Sequence, residues 1–116
     1  MSNFIIYHNP RCSKSRQTLE ILNKQNVDTE IVLYLETPPS AEEVASILQK
    51  LGLRSRDIIR KGEKEYKLLN IKDRSLTENE LITFMSANPK LIERPIVVKD
   101  DKAIIGRPPE NVLSLL

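Results

Sequence analysis

What the chain lacks narrows its chemistry first. It has one cysteine, Cys12, in 116 residues, so neither an internal disulfide nor a disulfide-stapled secreted fold can form. It also has one histidine, His8, which leaves too few ligands for a structural zinc site of the usual kind; no bound metal or cofactor is expected. Tryptophan is absent and aromatics reach only 4 %, too few for base-stacking platforms, so nucleic acid is not an expected partner. The longest apolar run is the five residues Ile31 to Leu35, far short of a membrane span. Residues 1–10 have no basic start followed by a long apolar stretch, so no secretory signal is read there and a reducing, cytoplasmic setting is expected.

What is present supports one packed domain over residues 1–116. Hydrophobic residues make up 40 %, enough for a core, and the net charge of +2 is a mild bias suited to small anions. Phe4 to Tyr7 is a short β-prone run ended by Asn9-Pro10. From Ser13 to about Asn26 nothing breaks a helix, and Leu19, Ile21 and Leu22 supply its apolar stripe. Glu30 to Leu35 reads as a second strand, stopped by Pro38-Pro39. Strand, helix and strand in that order form a βαβ unit with two parallel strands.

A helical insertion follows, at about residues 40–90. Ser40 with Glu43, and Thr77 with Glu80, have the spacing of capping boxes, each side chain answering the other residue's free N–H. Val44, Ile47, Leu48 and Leu51 repeat at helical spacing up to Gly52, and Leu81, Ile82, Phe84 and Met85 do the same up to Asn88-Pro89. Residues 53–75 are charged and read as short helical pieces. Ile96 to Val98 and Ala103 to Ile105 then flank a turn at Lys99 to Lys102, and Pro109 to Leu116 closes with a short helix. The whole is an α/β, thioredoxin-like arrangement: a βαβ–ββα mixed four-stranded sheet interrupted by the insertion. No exposed apolar patch is evident, so a monomer is expected.

Cys12 stands between the first strand and the first helix, among Asn9-Pro10-Arg11 and Ser13-Lys14-Ser15-Arg16, a stretch too polar for a core. A thiol over a helix N-terminus meets free N–H groups and the positive end of the helix dipole, which favour the thiolate. Ser15 stands where a Cys-x-x-Cys motif needs its second thiol, and Thr18 where a Cys-x5-Arg phosphatase loop needs its arginine. Any disulfide step must therefore use an outside thiol. Arg94-Pro95 and Arg107-Pro108 hold their arginines in extended backbone beside the last two strands, and guanidinium groups bind tetrahedral oxyanions bidentately. His8, four residues before Cys12, reads either as an imidazolium that polarises the thiol or as a hydrogen-bonded strand-end residue. Arg60 lies in a basic window, Lys50 to Lys64, that reads as a solvated face or an acidic-partner patch.

Three segments carry a resemblance. Tyr7-His8-Asn9-Pro10-Arg11-Cys12-Ser13-Lys14-Ser15-Arg16, Leu33 to Pro39, and Glu93 to Val98 with Gly106-Arg107-Pro108 resemble the glutaredoxin-linked arsenate reductase family. Arg11, Ser13, Lys14 and the end at Leu116 are similar to its short chromosomal subgroup. The resemblance implies a thioredoxin-like fold with a helical insertion, a Cys12 nucleophile, and Arg60, Arg94 and Arg107 as oxyanion-binding arginines. It also implies that His8 helps keep the thiol ionised and that Pro95, before the third strand, is cis and faces the cysteine. Arsenate would be the substrate, glutathione the co-substrate and glutaredoxin the protein partner. A glutathione-dependent monothiol oxidoreductase and a redox-related regulator docking on RNA polymerase are the alternatives; the arginine set favours an enzyme.

Overall fold

The computed structural model describes residues 3–116. The chain divides into two units, one running up to Thr37 and resuming at Arg94–Leu116, the other Pro38–Glu93.

The first unit is built on a sheet of β1 (Phe4–Tyr7), β2 (Thr29–Val32), β3 (Ile96–Lys99) and β4 (Lys102–Ile105), in the order β2-β1-β3-β4. β1 runs parallel to β2 and antiparallel to β3, and β3 pairs antiparallel with β4. Helix α1 (Ser13–Lys24) crosses from β1 to β2. One face of the sheet buries Phe4, Ile6 and Val97 with Leu22 of α1 and Val112 and Leu115 from the C-terminal turns. Each such side chain contributes about 1.5–3 kcal/mol when fully removed from water. Lys99, the last residue of β3, covers this core, its ammonium 5.2 Å from the centre of the Phe4 ring and 3.0 Å from the carbonyl of Leu115.

Two boundaries differ from the sequence reading, and the expected closing helix is of the 3-10 kind. β2 stops at Val32, where His8 donates its backbone N–H to the Val32 carbonyl and the ladder ends. Tyr34 to Glu36 form a turn instead, held by Glu36 and Thr37 N–H groups on the Leu33 carbonyl. The hairpin loop is the two residues Asp100 and Asp101, not four: Lys99 pairs with Lys102, and Asp100 takes a φ of 54°, which an Asp tolerates. The closing segment Pro109–Leu115 is a 3-10 helix. Asn111 explains this locally, since its backbone N–H bonds three residues back to Pro108 while its side chain ties to the Ile105 and Arg107 carbonyls.

The second unit is helical: α2 (Ala41–Leu51), α3 (Ser55–Ile58), α4 (Lys64–Leu68) and α5 (Glu78–Ala87). Both anticipated capping boxes are closed, at Ser40 with Glu43 and at Thr77 with Glu80. Gly52 ends α2 at a φ of 70°, a conformation in which glycine carries no side-chain penalty. α2 packs on α5 through buried Val44, Ile47, Leu48, Leu81, Ile82 and Met85, and Glu78 accepts from both N–H and hydroxyl of Ser55 to tie α3 to α5. No helix among the described residues is long and apolar enough to cross a membrane.

Candidate functional site

Cys12 is the N-cap residue of α1, in extended conformation, where a side chain faces the first free amides of a helix. The sulfur makes no close capping bond, and the first turn contains no acidic residue to compete for those amides. Burial pushes the thiol up, but the Ser15 amide, the Arg94 guanidinium and the Lys14 amide favour the charged form and outweigh it. The Cys12 pKa therefore lies below its ordinary value. The residue is half-buried, open enough to react.

The loop that carries Cys12 is pinned by polar side chains. Asn9 is buried, its carbonyl accepting from the Cys12 N–H at 3.0 Å and its side-chain oxygen from the Arg11 N–H at 3.0 Å. Ser15, fully buried, accepts the Asn9 N–H at 3.0 Å and lies 2.6 Å from His8 Nδ1. Its own proton is free for that nitrogen, an arrangement suited to a neutral imidazole. Burial, reinforced by the Arg16 charge, holds the His8 pKa below 6.5. Of the two readings of His8, the hydrogen bond to Ser15 and this direction of shift favour the hydrogen-bonded strand-end residue over the imidazolium.

Arg94 and Arg107 arrive from the other end of the unit. Both arginine–proline bonds, Arg94-Pro95 and Arg107-Pro108, are cis. Arg107 Nη1 lies 3.8 Å from the Cys12 sulfur and donates to the Arg94 carbonyl at 3.1 Å, while the Arg94 side chain reaches the thiolate as a hydrogen-bond donor. Two guanidinium groups and a helix N-terminus therefore converge on one sulfur. Positive groups arranged in this way are chemically suited to an oxyanion and to a thiolate nucleophile.

Arg60 belongs to the helical unit. There Ile59 bridges Ile92, and Glu93 N–H and Arg60 N–H bond to the carbonyls of Ile58 and Leu91, which sets Arg60 beside Glu93. Its guanidinium donates to Glu93 at 2.6 Å and to Glu63 at 3.3 Å. Burial works against the charge, but those carboxylates more than offset it and raise the Arg60 pKa. The basic-window reading had not foreseen that this cation is already ion-paired.

The packing role of one supporting residue, Gly106, escaped sequence reasoning. A Cβ on Gly106 would come 2.5 Å from Thr18 Oγ1 and 2.8 Å from Pro95 Cγ, so the segment after β4 that bears Arg107 approaches α1 as only glycine allows. Gly106 N–H also donates to the Pro95 carbonyl at 2.9 Å. With three glycines in the chain, one directly before an arginine–proline pair was the available signal. Among the described residues no group of three or more His, Cys, Asp or Glu side chains is placed to hold a metal ion.

Comparison with known proteins decides the family. The ArsC family model matches residues 7–115. The chain belongs to the ArsC family. It is 48% identical to an arsenate reductase of Haemophilus influenzae over 113 residues, which covers 97% of each chain. An uncharacterized protein of Escherichia coli K12, YfgD, is 55% identical over 112 residues, 96% of this chain and 94% of that one. Among solved structures, an arsenate reductase from Vibrio cholerae superposes with a TM-score of 0.94 at 49% identity, covering 97% of each chain. The ArsC, thioredoxin-like fold expected from the residues is thereby established.

Proposed function

We propose that this ArsC-family chain is an arsenate reductase in which Cys12 is the nucleophile and Arg94 and Arg107 hold the substrate oxyanion. The convergence of both guanidinium groups on a thiol of lowered pKa carries the reading. An arsenate bound there meets the thiolate on one side and positive groups on the others, so charge building on its oxygens during attack is neutralised in place. The family resemblance gives Arg60 as a third oxyanion-binding arginine; within its own unit it is ion-paired with Glu63 and Glu93. His8 and Ser15 act as positioning residues for the loop.

The chemistry balances as follows. The Cys12 thiol and hydrogen arsenate condense to an S–As(V) adduct, the thiol proton and an arsenate hydroxyl leaving as water. Because the chain has no second cysteine, the next thiol must come from outside, and glutathione is the co-substrate. Its thiolate attacks the Cys12 sulfur, the S–As electron pair passes to arsenic, and arsenite leaves. Cys12 and glutathione remain as a mixed disulfide. Glutaredoxin takes the glutathione off by a second thiol exchange and returns the Cys12 thiolate. Arsenic gains two electrons and two sulfurs give one each. This thiol economy belongs in a reducing cytoplasm.

Arsenate-dependent NADPH consumption, coupled through glutathione, glutaredoxin and glutathione reductase, tests the reading. Turnover that disappears in Cys12→Ser is the expected result. A wild-type protein that reduces a glutathione mixed disulfide but never responds to arsenate would overturn it in favour of a monothiol oxidoreductase.

A further inference from the structure

Beside the Cys12 loop lies a cavity of about 390 Å³ that the chemistry above does not use. One wall is the loop itself, His8, Asn9, Pro10 and Arg11; the other is the turn after β2, Leu33, Leu35 and Glu36. Both walls start from one hydrogen bond, His8 N–H to the Val32 carbonyl, and each is braced within itself: the loop by Asn9, the turn by two N–H groups on the Leu33 carbonyl. The groove is therefore formed before anything enters it, and its volume falls within the range of small-molecule sites, about 300–1,000 Å³.

Its lining is specific in kind. Leu33 and Leu35 are 36% and 39% exposed, unusual for leucines that belong to a turn next to a sheet. Arg11 and Glu36 supply one charge of each sign, and both side chains are exposed. An occupant that complements this surface has an apolar middle, a carboxylate for Arg11 and an ammonium group for Glu36. It must also bring a thiol to Cys12, the next residue after Arg11.

We infer that this groove is the binding site of the reducing co-substrate, a γ-glutamyl thiol peptide of the glutathione type, with a carboxylate on Arg11 and its α-ammonium on Glu36. The assignment rests on the thiol-dependent reading above. Charge-assisted contacts at the two ends fix the peptide's direction, so that its central cysteinyl thiol is presented to the Cys12 loop. Arg11 and Glu36 are binding residues only, with no part in arsenate chemistry.

S-methylglutathione, which cannot form a disulfide, separates binding from turnover. Titrated into the 15N-labelled chain, it should shift the amides of residues 8–11 and 33–36. Binding should weaken about tenfold in Arg11→Glu and in Glu36→Lys, the loss of one charge-assisted contact. N-acetylation of the ligand removes the ammonium group, and Glu36→Gln should then make no further difference. Shifts that map elsewhere, no shifts at all, or affinities indifferent to both charge reversals would overturn the site. Each variant's own amide spectrum reports whether it is folded. The two readings fail separately: groove shifts without arsenate turnover sink only the reductase, and glutathione-driven turnover without groove shifts sinks only the groove.

Discussion

The three long helices of this protein begin in two different ways. α2 and α5, in the helical unit, start with closed capping boxes and carry Glu42, Glu43, Glu78 and Glu80 in their first turns. α1, in the sheet unit, starts at Cys12 with no side-chain cap and no acid in its first turn. Caps and N-terminal acids stabilise a helix because they answer free N–H groups and the positive dipole end. In α2 and α5 the protein's own side chains consume that potential. In α1 no such side chain consumes it, and under the proposed function it serves a thiolate and an oxyanion. The difference marks where the chain gives up local stability for chemistry.

Cys12→Ser sharpens the contrast most. Serine is a good N-cap, so the variant should lose all arsenate turnover while gaining stability, by about 0.5–2 kcal/mol. Thermal unfolding beside the coupled assay reads both. Thr77→Ala is its mirror: it removes the α5 cap and should lower stability by about 1 kcal/mol with turnover intact at a temperature where the protein is folded. A Cys12→Ser protein less stable than wild type would show that α1 is capped by something other than the residue at its start.

Gly106→Ala tests whether the close approach of the Arg107 segment to α1 matters to both properties together. The added methyl meets Thr18 and Pro95, both part of packed surroundings, and overpacking of this kind costs typically 1–3 kcal/mol. Urea unfolding should show that loss, and the Cys12 thiol should become less reactive as Arg107 is pushed away. Normal stability with normal reactivity would mean the segment can shift without cost.

Legibility in the sequence followed the same divide. The capping boxes of Ser40 and Thr77 and the stop at Gly52 were readable because their partners lie within four residues. The strands, and Cys12 at the head of a helix, were readable from local pattern too. The end of β2 was not, since it depends on where His8 meets Val32 across the sheet. Nor was the pairing of Arg60 with Glu93, 33 residues away, or the wedge of Gly106 against Thr18. That Arg94 and Arg107 lie near Cys12 came from resemblance and not from spacing, because separations of this length carry no periodic signal. The charge state of His8 stayed open for a different reason: it depends on burial and on Ser15.

Arg94→Ala addresses the other half of the α1 arrangement, the guanidinium that faces the sulfur. Loss of that donor should raise the thiol pKa, leaving less thiolate at neutral pH. Alkylation of Cys12 by iodoacetamide should then be slower at pH 7, by about three- to tenfold. At pH well above the thiol pKa the two proteins should react at similar rates. A variant that matches wild type at both pH values would show that the helix amides alone hold the thiolate.

The smallest effect concerns His8, and the chain's single histidine makes it directly observable. Its imidazole carbon-bound proton resonances should titrate below 6.5, because burial and the Arg16 charge disfavour the cation. Since the folded pKa lies below the unfolded one, the folded state binds fewer protons. Stability is therefore complete above about pH 6.5 and falls as pH drops through the folded pKa. Arg16→Gln should move the titration part of the way back up, the remainder being burial, which is the larger cause. A His8 that titrates at or above 6.5 would restore the imidazolium beside the thiol, and α1 would then owe its anion-binding end to a second cation as well as to the empty cap.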